Sequence, residues 1–472
     1  MAMPLQPYLF DWHQVESSSD LDRLRLVLGV LPDEALVLSL EKLRGKGRDD
    51  LFPVRAVWNS LIAGIVFQHP SIEALRRELQ RNGELRVLCG FNPLLGMKAV
   101  PTDSNYSRFL TNLLGMEESV RAMFHQLVED LRKALPDLGK YQAIDGKAIP
   151  SVAAPQSKEK RAQKDADKAA KKLQPDRRRE DDADWGVKTY RGTHKDGSSW
   201  EKVTKWFGFE LHLLVDSQYE LPLNYKVTKA SASETVELLP LVRETEERHP
   251  GMILEACEEL SADKGYDSTE NVSKLWDEFT VRPVIDCREF TRGGDTSWPL
   301  DPSKCDTIVY DNKGRVSCTC PVTGESRPMT FWGFEADRET LKYRCPAAAN
   351  DFPCQGRDQC PGGDGSYGRT VRIPLEKDRR LFTPTARDSA AWEKSYNRRS
   401  AVERVNSRLD NVLGFEKHTI RGLKKMETRA GLALCVMLAM ALGRIRIGQA
   451  EAMRSLIQPV PPGGRNPGAI RV

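Results

Sequence analysis

No stretch of the sequence reads as a membrane span. The longest strongly apolar run, residues 430–442 (AGLALCVMLAMAL), has 13 residues, against the roughly 20 needed to cross a bilayer. The opening MAMPLQPYLFDWHQVE has no basic segment followed by an apolar one, so no secretory signal is read. No charge of one sign dominates, with 71 Lys+Arg against 67 Asp+Glu, and no internal repeat stands out. Histidine is scarce, 7 in 472 residues. Ten cysteines without a signal point to a reducing compartment, where thiols more often stay free or bind metal than pair. The expectation is a soluble, intracellular protein.

What is present is enough to build a core. Hydrophobic residues make up 40%, including 15 Phe, 11 Tyr and 9 Trp, which excludes wholesale disorder. At roughly 150 residues per domain the length suggests about three structural units. Charge is uneven locally: residues 157–180 hold ten basic against five acidic side chains, and 398–446 hold eleven against four. Such excesses suit a phosphate backbone, although a solvated face has the same look.

Residues 1–135 read as helical, with apolar residues spaced by three and four over 54–68 and 71–80 and Ser71 placed as an N-cap. This part is read as a DNA-binding domain, a purely structural bundle being the alternative. From Tyr141 the pattern changes. YQAID is a short β-run ending in an acid; residues 206–215 and 223–227 read as a hairpin; 233–248 as a helix; 253–262 as partly strand; 269–278 as a helix; 281–285 as a strand. The order β, β-β, α, β, α, β is that of an α/β, ribonuclease-H-like mixed sheet, its first part spanning 136–290. Two stretches interrupt it. Residues 151–202 are highly charged and read as a disordered or weakly helical insertion, with 157–182 expected to be mobile. Residues 291–391 form a longer, Cys-, Gly- and Pro-containing insertion. Helix resumes near Trp392 and runs through Glu403, the core closes over 392–447, and 448–472 are read as a flexible tail.

Three motifs carry chemistry. Asp145 sits in Ala143-Ile144-Asp145-Gly146-Lys147, at what reads as the end of an apolar strand, with a glycine that lets a ligand approach. Asp263 sits in Ala262-Asp263-Lys264-Gly265-Tyr266, again just past a strand. Tyr396, Arg399, Glu403 and Asn406 fall at i, i+3, i+7 and i+10, one face of a helix. Each reading has a plain alternative: a turn acid at the first two, and a surface Arg399–Glu403 pair at the third.

Together, in this order and within this pattern, the motifs resemble bacterial insertion-sequence DDE transposases, over roughly residues 50–450. The resemblance implies that Asp145, Asp263 and Glu403 are three metal-binding catalytic acids. It also implies Mg²⁺ or Mn²⁺ as cofactor, the DNA ends of a mobile element and its target DNA as partners, and a homodimer on DNA. Hard Mg²⁺ prefers carboxylates, and two ions can stabilise the attacking and leaving oxygens of an in-line displacement. Tyr396 and Arg399 would then position phosphate or the flanking nucleotide. The sequence departs from the family seven residues after the Glu, where a Lys or Arg is usual and Asp410 stands; Arg408 or Lys417 is the expected substitute. Lys147 and Lys264, beside the acids, either touch DNA or face solvent. A nuclease of the same fold and a transposase-derived DNA-binding protein without catalysis are the rival readings.

Five cysteines form a separate constellation: Cys318, Cys320, Cys345, Cys354 and Cys360. Four of them are expected to hold one zinc ion, with reduced loop thiols as the alternative. The insertion has little apolar periodicity and so few other ways to fold. Cys318 and Cys320 lie where a short β-run, residues 315–317, would end, and Cys345 follows a second, residues 341–344; a hairpin of these runs is expected to bring the three thiols together, with Cys354 or Cys360 closing the tetrahedron. Cys89, Cys257 and Cys435 read as core residues, His212 as a satisfied sheet residue, and His418 as exposed or touching phosphate.

Overall fold

The structure is a computed structural model that describes residues 19–45, 51–153, 180, 182–194, 196, 198–288, 290, 294–303, 305–360 and 365–460. The expected mobile segment 157–182 lies outside the described residues except for 180 and 182.

Seven helices open the chain, from α1 (Ser19–Leu28) through α2 (Glu34–Arg44), α3 (Val54–Val66), α4 (Ile72–Arg81), α5 (Gly83–Cys89) and α6 (Asp103–Leu113) to α7 (Glu117–Ala134). Their starts follow from local chemistry: the Ser71 side chain accepts from the Ala74 N–H at 3.1 Å, as its place before the apolar repeat suggested, and Thr102 and Asn82 cap their helices in the same way. Trp58, Phe124 and Tyr106 are fully buried among them.

A six-stranded mixed sheet follows: β1 (Tyr141–Pro150), β2 (Asp184–Thr193), β3 (Ser199–Asp216), β4 (Leu221–Lys229), β5 (Glu259–Ala262) and β6 (Arg282–Ile285). The spatial order is β4–β3–β1–β5–β6, with β2 alongside the first half of β3. β1, β3 and β4 are antiparallel. β5 and β6 run parallel to β1, and each is reached through a helix, α8 (Glu234–Arg248) and α9 (Thr269–Asp277), as parallel pairing demands. The expected order of elements is therefore found. Two expectations are corrected. β1 does not end at Asp145 but runs on to Pro150, because β3 offers it an antiparallel partner as far as Gly208. Within 151–202, read as lacking structure, residues 184–193 form β2, a ten-residue strand on a long, exposed β3.

Alternation along β3 divides the core in two. Leu211, Leu213 and Val215 join the N-terminal helices and the last helix, α12 (Leu423–Arg446), in one apolar cluster. Leu214, with Ile144, packs on α8 and α9. α12 is the one described helix long and apolar enough to cross a membrane, yet 89% of its apolar window is buried in this fold. Residues beyond it are held too: the buried Arg444 donates to the Ser455 carbonyl at 2.9 Å, and Arg23 to the Leu456 carbonyl at 2.6 Å.

The insertion folds on its own core, contrary to the expectation from its weak periodicity. It contains a four-stranded sheet, β7 (Ser297–Asp301) to β10 (Ser326–Pro328), and a three-stranded one, β11 (Thr330–Glu335) to β13 (Thr370–Pro374). Ile308, Tyr310, Val316, Tyr343, Ile373 and Phe382 meet between them. Strands of only three to seven residues show too little of a period to be read from sequence.

α7 is tied to α8 by a buried chain in which His125 Nδ1 lies 2.9 Å from His249 Nε2, and His249 Nδ1 lies 2.5 Å from Glu129 Oε1. Burial lowers the His125 pKa to about 3, with His249 next among the causes. Below the ordinary His value of 6.5 the unfolded chain therefore takes up a proton that the folded chain refuses. Stability from this site is intact above pH 6.5 and falls as pH drops toward 3, by up to about 1.4 kcal/mol per pH unit. Denaturant unfolding at pH 7.5 and 5.5 should show a smaller pH loss in His125→Gln than in the parent, by about 1 kcal/mol.

Candidate active site

The register of β1 against β5 builds the site. Their parallel pairing ends at Ile144↔Ala262, so the next residues, Asp145 and Asp263, stand side by side, at the roughly 4.8 Å spacing of paired strands. Asp263 leaves the carboxyl end of β5, where open α/β sheets place their ligands, while Asp145 stays within β1, which runs on against β3. Each carboxylate is held by a glycine after it: Asp145 Oδ1 accepts from the N–H of Gly146, the next strand residue, at 2.9 Å, and Asp263 Oδ1 from the N–H of Gly265, in the turn, at 2.7 Å. Burial, and then Asp263, raise the Asp145 pKa to about 7, while Lys188 and Arg399 oppose the rise. Two acids forced together out of water is an arrangement a cation relieves.

The third motif reaches this pair through its arginine. The continuous helix expected from Trp392 to Glu403 is instead two, α10 (Ala390–Asn397) and α11 (Ser400–Asn411). They are joined through Arg398 and Arg399 by i→i+3 bonds: the Arg399 N–H to the Tyr396 carbonyl at 3.0 Å, and the Val402 N–H to the Arg399 carbonyl at 3.0 Å. The tightened turn aims Arg399 inward. Its Nη1 is 3.7 Å from Asp145 Oδ2 and its Nη2 is 2.8 Å from Glu403 Oε1. Tyr396 lies beneath, stacked on Trp392 at 4.8 Å between ring centroids, with the Arg399 guanidinium 5.7 Å from its ring. Glu403 is thus joined to Asp145 by a guanidinium and is half exposed. Among the described residues, no three His, Cys, Asp or Glu side chains already converge on one ion-sized position.

The departure at Asp410 has a local reason. Lys147, two residues after Asp145, is buried and ion-paired to Asp410 at 2.5 Å and to Glu416 at 3.3 Å. The basic group stands on β1 and its acid on α11, so neither expected substitute is used: Arg408 turns to Glu220 and the Arg454 carbonyl, and Lys417 is exposed. Lys264 is exposed. His418 is buried, its Nδ1 accepting from the Ile420 N–H at 3.3 Å, because Phe415 and α12 fold the basic turn inward. His212 is buried and bonded to the Thr228 hydroxyl at 2.9 Å, as expected of a sheet residue. Cys89, Cys257 and Cys435 are core.

Sequence reading missed four residues that complete the cluster. Lys188, from β2, places its Nζ 2.5 Å from Glu234 Oε1, 3.2 Å from Glu210 Oε1 and 2.9 Å from the Gly146 carbonyl. Burial works against this charge, but Glu234 and Glu210 outweigh it and hold the ammonium above its ordinary value. Glu210, on β3, is pushed up by burial and by Glu234. Tyr266 is fully buried with no hydrogen-bond partner for its hydroxyl; burial, then Glu234, Asp145, Glu210 and Asp263, raise it well above its ordinary range. Only the glycines hinted at this crowding. A Cβ on Gly146 would lie 2.6 Å from Glu234 Oε1 and 2.8 Å from Glu210 Oε1, and one on Gly265 would collide with Glu234 Oε2 and reach Asp263 Oδ1 at 2.7 Å.

In the insertion, Cys318 lies within β9 (Val316–Thr319), and Cys345 follows β12 (Thr340–Arg344), which belongs to the other small sheet. The expected hairpin between these runs is therefore not formed. Arg369 links the two instead: its carbonyl accepts from the Cys345 N–H at 2.7 Å, and its Nη1 donates to the Thr307 hydroxyl, beside the Ile308 that pairs with Cys318, at 2.7 Å. Cys354 and Cys360 close a tight turn through Arg357. Burial pushes the Cys318 thiol up to about 11, with Cys360, Cys345 and Cys354 among the remaining causes. Cys320 lies against the Cys354–Cys360 turn, where a Cβ on Gly356 would be 2.8 Å from its Sγ, and its thiol is held low by the Thr323 hydroxyl.

A family model described as a transposase DDE domain matches residues 151–439. The chain belongs to the DDE-domain transposases. The matched span contains Asp263 and Glu403 and begins just after Asp145. Among solved structures, a cryo-EM structure of the piggyBac transposase synaptic complex with hairpin DNA is similar at 11% identity and a TM-score of 0.40, covering 93% of this chain and 79% of that one. No curated protein matches.

Gly→Ala at a position with room stabilises by about 0.4–1 kcal/mol. Gly265→Ala should instead destabilise, by about 1–3 kcal/mol, because the Glu234 carboxylate in its way is anchored by Lys188. In a Glu234→Ala background most of that loss should disappear, measured by denaturant unfolding of the four proteins in the cycle.

Proposed function

We propose that the protein is a DDE transposase that cuts DNA at the inverted-repeat ends of an insertion sequence and joins the freed 3′-hydroxyl to target DNA. The observation that carries the reading is that Asp145 on β1 and Asp263 after β5 stand side by side where the parallel pairing of the two strands ends, with Glu403 joined to Asp145 through Arg399, in a chain of the DDE transposase family. The donors suit a hard divalent ion: the carboxylates are crowded, the Asp145 pKa is raised, and the orphaned Tyr266 hydroxyl is among the groups that feel them. Asp145, Asp263 and Glu403 would hold Mg²⁺ or Mn²⁺, which when bound supplies charge stabilisation to the attacking and leaving oxygens.

The chain's own groups do the rest. Arg399 carries a permanent charge that can pass from the carboxylates to a phosphate, for which its planar fork is suited. Tyr396, flat on Trp392, offers an aromatic face beside it. The ribonuclease-H-like sheet is the frame that keeps the two aspartates in register, and a homodimer would bring two DNA ends together. Replacing Asp145, Asp263 or Glu403 by Ala should abolish cleavage while end binding changes less than about threefold, since DNA affinity comes mainly from basic contacts. A metal-dependent assay on plasmid DNA checks this. Joined products in Glu403→Ala would move the third role to Glu393 or Glu416; cuts without joining would make the parent a nuclease, and neither product a DNA-binding protein.

For the insertion, the reading is one zinc ion held by Cys318, Cys345, Cys354 and Cys360, drawn together from the arrangement around Arg369, with Cys320 spare. Thiolate–zinc bonds can supply around 10 kcal/mol or more of folding free energy, here added to a small aromatic core. Protein purified without chelator should carry one equivalent, retained in Cys320→Ser and lost in Cys345→Ser by elemental analysis. Less than about half an equivalent in the parent would mean simple reduced thiols.

A further inference from the structure

The carboxylate of Glu234 occupies an unusual place. It is the first residue of α8, with Ser233 at the N-cap position, so it sits in the positive field of a helix start. From there it lies between strand β1 just past Asp145 and the turn that follows Asp263, with one oxygen against Gly146 and the other against Gly265. The next residue, Thr235, donates its hydroxyl to the Gly265 carbonyl at 2.8 Å, and Arg288 donates to the same carbonyl at 2.6 Å. The first turn of α8 therefore grips the Asp263 turn directly. On the other side Lys188 bonds both Glu234 and the Gly146 carbonyl, which ties the same carboxylate to β1 beside Asp145.

We infer that Glu234 is a positioning residue of the metal site: its carboxylate, anchored by Lys188, wedges between Gly146 of β1 and Gly265 of the turn after β5 and sets the separation of Asp145 from Asp263. The inference rests on the reading of those two aspartates as metal-holding. It explains why both motifs have glycine where they do. A side chain at either position would take the space that Glu234 fills. It also gives β2 a purpose. That strand is extra to the β4–β3–β1–β5–β6 order, and it delivers the one lysine that allows Glu210 and Glu234 to be buried together beside two more acids.

The test is Mn²⁺ binding by the full-length protein, followed by the electron paramagnetic resonance signal of free Mn²⁺, with no DNA present. Glu234→Ala, which removes the wedge, should weaken binding at least tenfold. Glu234→Asp keeps the charge for Lys188 but withdraws the carboxylate from between the glycines, and should weaken binding at least threefold; it serves equally should the Ala variant fail to fold. Lys188→Met breaks the same ion pair yet leaves the side chain of Glu234 in place, and should cost less than Glu234→Ala. Parent-like affinity in the folded Glu234 variants, or equal losses in Lys188→Met and Glu234→Ala, would overturn the proposal, the second outcome by showing that the pair is only a structural tie. Asp145→Asn separates this from the reading beneath it. If it too binds Mn²⁺ like the parent, the aspartates are not the metal site and both ideas fall. If it loses Mn²⁺ while Glu234→Ala does not, only the role of Glu234 is lost.

Discussion

The parallel pairing of β1 with β5 is the constraint on which the site depends. It spans only four residue pairs, yet it brings together two acids separated by more than a hundred residues and leaves them no room to part. Like charges at strand spacing repel, and burial makes the repulsion worse. The surrounding structure answers with fixed donors, the two glycine N–H groups, and with two cations, Lys188 from the sheet side and Arg399 from the helix side. A fold that spends this many groups on confining carboxylates is arranged around charge that arrives from outside.

Much of this was legible in the sequence because it is local. An apolar run ending in Asp-Gly, a second in Asp-Lys-Gly-Tyr, and a helical Tyr-x2-Arg-x3-Glu are patterns of neighbouring residues, and the order of strands and helices between them follows from periodicity. Lys188, Glu210 and Glu234 were not legible for the opposite reason. Each looks like any surface charge until the sheet is assembled: Lys188 lies in a stretch whose composition argues for solvent, Glu210 alternates with apolar residues on a strand, and Glu234 reads as an ordinary acid in a first helical turn. What distinguishes them is long-range contact, for which spacing along the chain carries no signal.

The Arg398–Arg399 turn shows how a motif read on one geometry can stand on another. On a continuous helix the i, i+3, i+7 positions would share a face, and a surface salt bridge would be the simple account of Arg399 and Glu403. The i→i+3 tightening rotates α11 relative to α10, so that Arg399 meets Asp145 as well. The pair becomes a bridge between the third motif and the first. In the same way, Asp410 looks like the loss of a basic residue, until Lys147 is found opposite it with the charges exchanged between strand and helix.

Arg399 also links the resting arrangement to a working one. Its guanidinium lies between Asp145 and Glu403, and both acids, with Tyr396, hold its charge above the ordinary value against the cost of burial. In that state it neutralises two carboxylates that would otherwise face each other across the site. A divalent ion there would supply the same neutralisation with more charge in less space, which would leave the guanidinium without its acids and directed at whatever anion lies next to the metal. Since the fork of an arginine suits phosphate as well as carboxylate, under the proposed function one side chain would serve first the carboxylates and then the substrate phosphate, without any larger movement of the helices that carry it.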